Sequence, residues 1–195
     1  GLGFQAQLGD AMKKGLAFTL DEVFLSGNGV GKPLGVLNDP AMITVSRSAA
    51  GSISYTDIIS AFSRLHPSCV KGAVWVIHPT VIPELCGLVD AGNHNLWVPN
   101  VADKAPGRLL GLDVVLSEKL PELGSNGDIL LCNFSNYAVA LRREITLEKS
   151  NAPNWSRDLT DYRVGTRVGA HGLWSSPITP ASGTTTLSWV VSLTA

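Results

Sequence analysis

Between residues 5 and 25, apolar side chains recur at intervals of three and four: Leu8, Met12, Leu16, Leu20 and Val23. Asp10, Lys13, Lys14 and Asp21 fall between them. Residues so spaced share one face of a helix, so the pattern predicts a long amphipathic helix with the charges on the other side. Gly9 and Gly15 weaken it by about 1 kcal/mol each relative to alanine. No capping residue precedes the helix, which reads as cut from something longer. Over residues 21–37 the pattern changes: Gly27, Gly29 and Gly31 alternate, Pro33 and Gly35 follow, and apolar residues resume at Val36 and Leu37. Glycine permits positive φ and proline cannot continue a helix, so this stretch predicts a helix stop and a forced change of direction.

Beyond the turn, Met42 to Val45 predict a short strand within a Ser-, Ala-, Gly- and Pro-rich segment. Tyr55-Thr56-Asp57 open a second helix, with Thr56 expected as its cap and Asp57 at the positive end of its dipole. Ile58, Ile59, Phe62 and Leu65 are its expected apolar face, and Pro67 ends it. Ala73–Ile77 read as a buried strand, and Pro79 starts a further helix carrying Val81, Ile82, Leu85, Cys86 and Leu88. Asp90-Ala91-Gly92-Asn93 break that helix before an aromatic strand candidate, Asn95–Val98. Leu109–Leu116 read as two short strands about Gly111-Leu112-Asp113. Asp128–Phe134 and Tyr137–Leu141 read as a strand pair around a Ser135-Asn136 turn, with Ile145–Glu148 a further strand. From Asp161 to Leu173 the chain alternates Tyr162, Val164, Thr166, Val168 and Ala170 against Arg163, Gly165, Arg167, Gly169 and His171, a long half-exposed strand. Leu187–Leu193 form a last one. Strands and helices mix without βαβ alternation or repeats, which argues an α+β fold.

Composition changes this picture little. At 195 residues the chain is one large domain or two small ones. Charged residues make up 16% against 45% hydrophobic, below the roughly one quarter usual for soluble domains and in keeping with a surface partly covered by neighbouring subunits. A net charge of −1 leaves no overall basic footprint for nucleic acid. No apolar run reaches the length of a membrane span, and residues 1–20 lack a secretory leader pattern. Three widely spaced cysteines, Cys69, Cys86 and Cys132, form no CxxC motif. Cys86 and Cys132 lie in apolar runs and read as buried thiols, consistent with synthesis in a reducing, intracellular setting.

Candidate chemistry is sparse. The Gly-rich stretch beside Lys32 invites a phosphate-loop reading, but Ser26 stands where that motif needs its first glycine. Pro33 stands where it needs Ser or Thr, and a helix precedes the loop instead of following it. The histidines His66, His78, His94 and His171 are dispersed, with no HxH or HExxH spacing. His78 before Pro79 reads as a helix-entry residue bonded to backbone. No nucleophile–base–orienter set is visible, and neither a metal nor a cofactor is implied. Residues 142–167 carry six basic residues against four acidic ones. Such mixed signs suit a solvated face or pairing with a neighbouring subunit better than a nucleic-acid patch. Arg142, Arg143, Arg163 and Arg167 are the candidate subunit contacts.

Several of these segments, taken in order, resemble one family. A helix ending Asp21-Glu22-x-x-Leu25 before Gly27-Asn28-Gly29-x-Gly31-x-Pro33-x-Gly35 is similar to the end of the spine helix in tailed-phage major capsid proteins of the Hong Kong 97 type. Val74–Pro79 with the following helix, Asp90–Asn93 and Leu96-Trp97 resemble that family's strand–His/Asn-Pro–helix segment. Leu110–Val115 and Ile129–Tyr137 resemble two of its later strand motifs. The agreement runs across residues 15–175. The resemblance implies a structural protein: a peripheral domain (1–52 and 140–195) with the spine helix and a long β-hairpin, and an axial domain (53–139). It also implies self-assembly of many copies into pentamers, hexamers and an icosahedral shell around double-stranded DNA, made in a bacterial cytoplasm, with a scaffolding segment, protease and portal as further partners. The family's N-terminal arm and extended loop have no counterpart in these residues. Asp161–Gly169 contain no glutamate, so the Lys–Asn crosslink of some members is not expected. An encapsulin shell is the alternative within this fold, and an α+β enzyme or ligand-binding domain the alternative outside it.

Overall fold

The computed structural model describes residues 2–89, 97 and 107–194. Helix α1 runs from Leu2 to Ser26. The strands are β1 (Ile43–Ser46), β2 (Val74–Ile77), β3 (Arg108–Leu109), β4 (Leu112–Leu116), β5 (Ile129–Cys132), β6 (Tyr137–Ser150), β7 (Asp161–Gly172) and β8 (Val190–Thr194). Helices α2 (Tyr55–Ser63) and α3 (Ile82–Cys86) lie between β1 and β3 in the chain. The aromatic strand expected at Asn95–Val98 lies outside the described residues, apart from Trp97, which is buried. The helix expected to run through Leu88 to a break at Asp90–Asn93 ends earlier: α3 closes at Cys86, where the Gly87 amide caps it by donating back to carbonyls of the last turn.

Six strands form one mixed sheet in the order β1-β8-β5-β2-β4-β3. β1 runs parallel to β8 and β2 parallel to β4, while the remaining neighbours are antiparallel. Its middle strands are apolar on both faces: Ile129, Leu130, Leu131 and Cys132 of β5 are all buried. A strand covered on both faces reads as a continuous apolar run, which is how Ala73–Ile77 and Ile129–Cys132 appear in the sequence. Trp75 and Trp189 are the largest fully buried side chains, and the indole N–H of Trp75 donates to the Leu109 carbonyl at 3.0 Å. Two strands of this sheet, β1 and β8, come from outside residues 53–139.

The sheet holds a buried ion pair. Arg47, just past β1, pairs with Asp128 before β5, both side chains fully buried. The second Asp128 oxygen accepts from the Gly124 amide at 2.9 Å.

The second sheet is a two-stranded antiparallel ribbon of β6 and β7, with register shifts between Leu141 and Arg143 and between Arg143 and Thr146. Such bulges increase the local twist. Opposed residues share a face, so Val139 with Ala170, Leu141 with Val168 and Leu147 with Val164 make one apolar side. α1 packs there: a Cβ on the buried Gly9 would lie 3.1 Å from the Leu147 side chain. Leu8, Met12, Leu16, Leu20 and Val23 are half-buried and Asp10, Lys13, Lys14 and Asp21 exposed, as the three- and four-residue spacing predicts.

Several local expectations need correction. The cap of α2 is Ser54, not Thr56: Ser54 Oγ accepts from the Asp57 amide while the Asp57 carboxylate accepts from the Ser54 amide, a full capping box. Ile59 faces solvent, and Ala61 takes its place in the buried stripe beside Ile58. The β3–β4 turn sits at Leu110-Gly111, both with positive φ as a two-residue type I′ turn requires, rather than at Gly111–Asp113. β5 and β6 are not a hairpin. β5 bonds to β2 and β8, and a single 3-10 turn at Phe134–Asn136 redirects the chain into the ribbon. Apolar runs either side of a Ser-Asn turn look alike in both arrangements, so pairing was not legible there.

Candidate functional site

The glycine stretch builds a small closed turn at the end of α1. The helix stops where the Gly27 amide donates to the Val23 carbonyl at 2.8 Å. Asn28 bridges antiparallel to Leu34, and the Gly29 amide donates to the Pro33 carbonyl at 3.3 Å. Asn28 Oδ1 accepts from the Val30 amide at 3.1 Å, and Gly29 and Gly31 take the positive φ that the tip demands. The turn closes where the Gly35 amide donates to the Gly27 carbonyl at 2.7 Å. Backbone packs on backbone at that crossing: a Cβ on Gly27 would collide with the Pro33 carbonyl, and one on Gly35 with the backbone of Gly27 and Leu25. Asn38 Nδ2 caps the helix end by donating to the carbonyls of Ser26 (2.9 Å) and Gly27 (3.0 Å). The tip itself stands free, with Val30 79% exposed.

Residues given no role in the sequence anchor this turn to both sheets. The Tyr137 hydroxyl donates to the Leu34 carbonyl at 2.7 Å, and its ring lies between Phe24 and Trp189 with centroids 6.3 Å from each. The Leu34 amide donates to the Ala170 carbonyl of β7 at 2.9 Å. The buried Asp39 carboxylate accepts from the amides of Ala41 (2.8 Å) and Gly172 (3.0 Å), tying the segment after the turn to the end of β7. Burial raises the Asp39 carboxyl above its ordinary value despite those two bonds, and burial together with the Asp39 charge pushes the Tyr137 phenol up to about 12. Asn38-Asp39-Pro40 is a turn-initiating tripeptide, a signal by which the sequence could have marked Asp39. The arrangement makes a stiff junction between spine helix, ribbon and sheet.

The four arginines of the ribbon divide into two pairs. Arg143 and Arg163 both bind Glu148 of their own chain, Arg163 through Nη2 at 2.8 Å. The Arg143 hydrogen bond, then the Arg163 charge, hold the Glu148 carboxyl below its ordinary range. Arg142 and Arg167 are exposed and have no ion-pair partner among the described residues. Arg163, Gly165, Arg167, Gly169 and His171 share the polar face of β7.

The other titratable groups act locally. His78 Nδ1 accepts from the Thr80 amide and His66 Nδ1 from the Ser68 amide, each at 3.3 Å, so both histidines cap the short turn that their following proline starts. His171 Nδ1 lies 2.7 Å from the Gly172 carbonyl, and His94 lies outside the described residues. Cys69 and Cys132 are buried, whereas Cys86, expected buried, is only half-buried at the C-terminal end of α3. Burial pushes the Cys132 thiol up. Among the described residues no His, Cys, Asp and Glu cluster could hold a metal, and no helix is long and apolar enough to cross a membrane.

A mixed sheet carrying a long helix and a two-stranded ribbon defines an α+β fold of the Hong Kong 97 type. Solved capsid structures share it. The capsid of a native GTA particle computed with C5 symmetry superimposes with a TM-score of 0.78 at 20% identity, covering 98% of this chain and 66% of that one. The Gordonia phage Cozz structure gives 0.62 at 12% identity, covering 98% and 63%. The family model for the phage capsid family matches residues 1–182, and the chain belongs to that family. The major capsid protein of Escherichia phage T5 is 25% identical over 181 residues, 86% of this chain and 38% of that protein. The chain thus spans well under half the length of this curated relative.

Proposed function

We propose that this chain is part of a phage or prophage major capsid subunit that assembles with copies of itself into an icosahedral shell enclosing double-stranded DNA. Family membership across residues 1–182 is the observation that carries this reading. The division that suits it places residues 1–52 and 140–195 in a peripheral domain and 53–139 in an axial domain. Its boundary would then cross the sheet between β8 and β5, whose hydrogen bonds couple the two parts. The junction at Gly27–Gly35, Tyr137 and Asp39 gives the helix and ribbon a set angle to the sheet, which a closed shell needs in every copy. Arg142, Arg143, Arg163 and Arg167 are assigned to subunit contacts, where charge selects partner and register more than it adds affinity. Function lies in surfaces, with no catalytic step. Synthesis takes place in the bacterial cytoplasm, and the DNA is held without sequence-specific contacts. Scaffold, protease and portal are the expected assembly partners.

Electron microscopy of the full-length gene product tests this. Pentamers, hexamers or shells are expected, and a strictly monomeric product with a substrate turnover would sink the reading.

A further inference from the structure

An apolar groove of about 590 Å³ lies between the C-terminal half of α1, the end of β4 and the start of the ribbon. Phe18, Val115, Leu116, Phe134 and Val139 line it, each between 41 and 53% exposed, with Asp21 on its rim. Scattered exposed apolar residues need no explanation, but these five share one concave surface that an apolar side chain of a neighbour can fill. The most exposed large apolar side chain among the described residues is Val30, at the tip of the glycine turn. Next to it stands Lys32, and neither Lys32 nor Asp21 has an ion-pair partner among the described residues. The chain therefore carries an apolar knob beside an unpaired cation and an apolar groove beside an unpaired anion.

We propose that the Val30–Lys32 tip of one copy seats in this groove of a second copy, with the Lys32 ammonium meeting the Asp21 carboxylate. This rests on the self-assembly reading above and names one of its contacts. Knob and groove are different surfaces, so the contact is heterologous: each copy gives its tip to one neighbour and its groove to another. Contacts of that kind close into rings when the rotation per copy permits. The tip is suited to the role because the backbone crossing at Gly27 and Gly35 holds it before docking, which lowers the entropy lost on binding. Lys119, whose ammonium lies over the Phe18 ring, pairs with Glu118 and leaves Asp21 to the incoming cation.

The test mixes unlabelled with ¹⁵N-labelled subunits in assembled particles and applies a zero-length carbodiimide crosslinker. The expected product is a Lys32–Asp21 crosslink joining a light and a heavy copy. Val30→Asp should lower the association constant at least about tenfold, the scale of a buried valine. Lys32→Glu and Asp21→Lys should each weaken assembly, and the double exchange should restore it. All three positions are exposed, so circular dichroism of the variants should match the parent. Particles that form normally with Val30→Asp and give no mixed Lys32–Asp21 product overturn this contact and leave self-assembly standing. A parent chain that never associates overturns both.

Discussion

Strand β5 and strand β6 are joined by one 3-10 turn and draw on similar apolar residues, yet all four residues of β5 are buried and none of the fourteen in β6 is. β5 lies between two partners in a sheet covered on both faces. β6 pairs with β7, and α1 packs on its apolar side where Gly9 meets Leu147. An isolated two-stranded ribbon is marginal in water, so the ribbon depends on α1 at Gly9 and Leu147 and on the Tyr137–Asp39 junction at its base. The lesson is a division of labour. The sheet spends its apolar surface on its own stability, while the ribbon and α1 leave theirs half open, as the assembly proposed above requires.

The largest effect should come from comparing truncations across that divide. Leu131→Ala in β5 should cost about 2–5 kcal/mol, because a fully buried leucine leaves a cavity that the packed sheet cannot close. Leu141→Ala, at a position 56% exposed, should stay within about 0.5 kcal/mol in the unassembled chain. Urea denaturation of the two variants decides the matter. Equal losses would mean that the ribbon is part of the core and the comparison is wrong.

The junction gives the next effect. Gly35→Ala would drive a Cβ to 2.6 Å from the Leu25 carbonyl oxygen, a backbone atom that cannot step aside. A loss of about 2–3 kcal/mol is expected, with faster hydrogen exchange at the Gly35 amide. Gly31→Ala meets open space, and only its φ of 67° opposes the change, at about 1 kcal/mol. If the two substitutions cost the same, the crossing is not what holds the tip.

Much of this architecture could be read in the residues. The helix stripe, the stop at Gly27, the continuous apolar runs of β2 and β5 and the alternation of β7 each follow from a local period. What could not be read is partner choice. Nothing around Ser135-Asn136 says that β5 turns away from β6, because both outcomes use the same apolar–turn–apolar pattern. The anchoring roles of Tyr137 and Asp39 could not be read for the same reason: the Leu34 carbonyl and the Gly172 amide that give them those roles lie 103 and 133 residues away in the chain. The four arginines stood out as a group, but only the fold separates Arg143 and Arg163, which bridge Glu148, from Arg142 and Arg167. Thr56 lost the cap to Ser54 by two residues, within the usual blur of helix ends.

The smallest effect sets two carboxylates against each other, one in each region, both held below their ordinary values for different reasons. Burial works to raise the Asp57 carboxyl, but hydrogen bonds from Ser48 and Ser54 outweigh it and leave the value lowered. A depressed folded-state value means stability that is whole above the unfolded value of 3.8 and fades as the pH falls through the folded one. Ser54→Ala should remove about 1 kcal/mol of helix capping at neutral pH. It should also shrink the acid-dependent loss below pH 3.8, since Asp57 then keeps fewer donors. Glu148 is lowered by Arg143 and Arg163 in open solvent, where salt screens charge and long side chains lose entropy when paired. Glu148→Gln should therefore leave the urea midpoint of the unassembled chain unchanged in moderate salt while freeing both arginines for a neighbour. A midpoint that moves as far for Glu148→Gln as for Ser54→Ala would show that the ribbon's charges stabilise the chain itself, and would withdraw them from the list of surfaces held open for assembly.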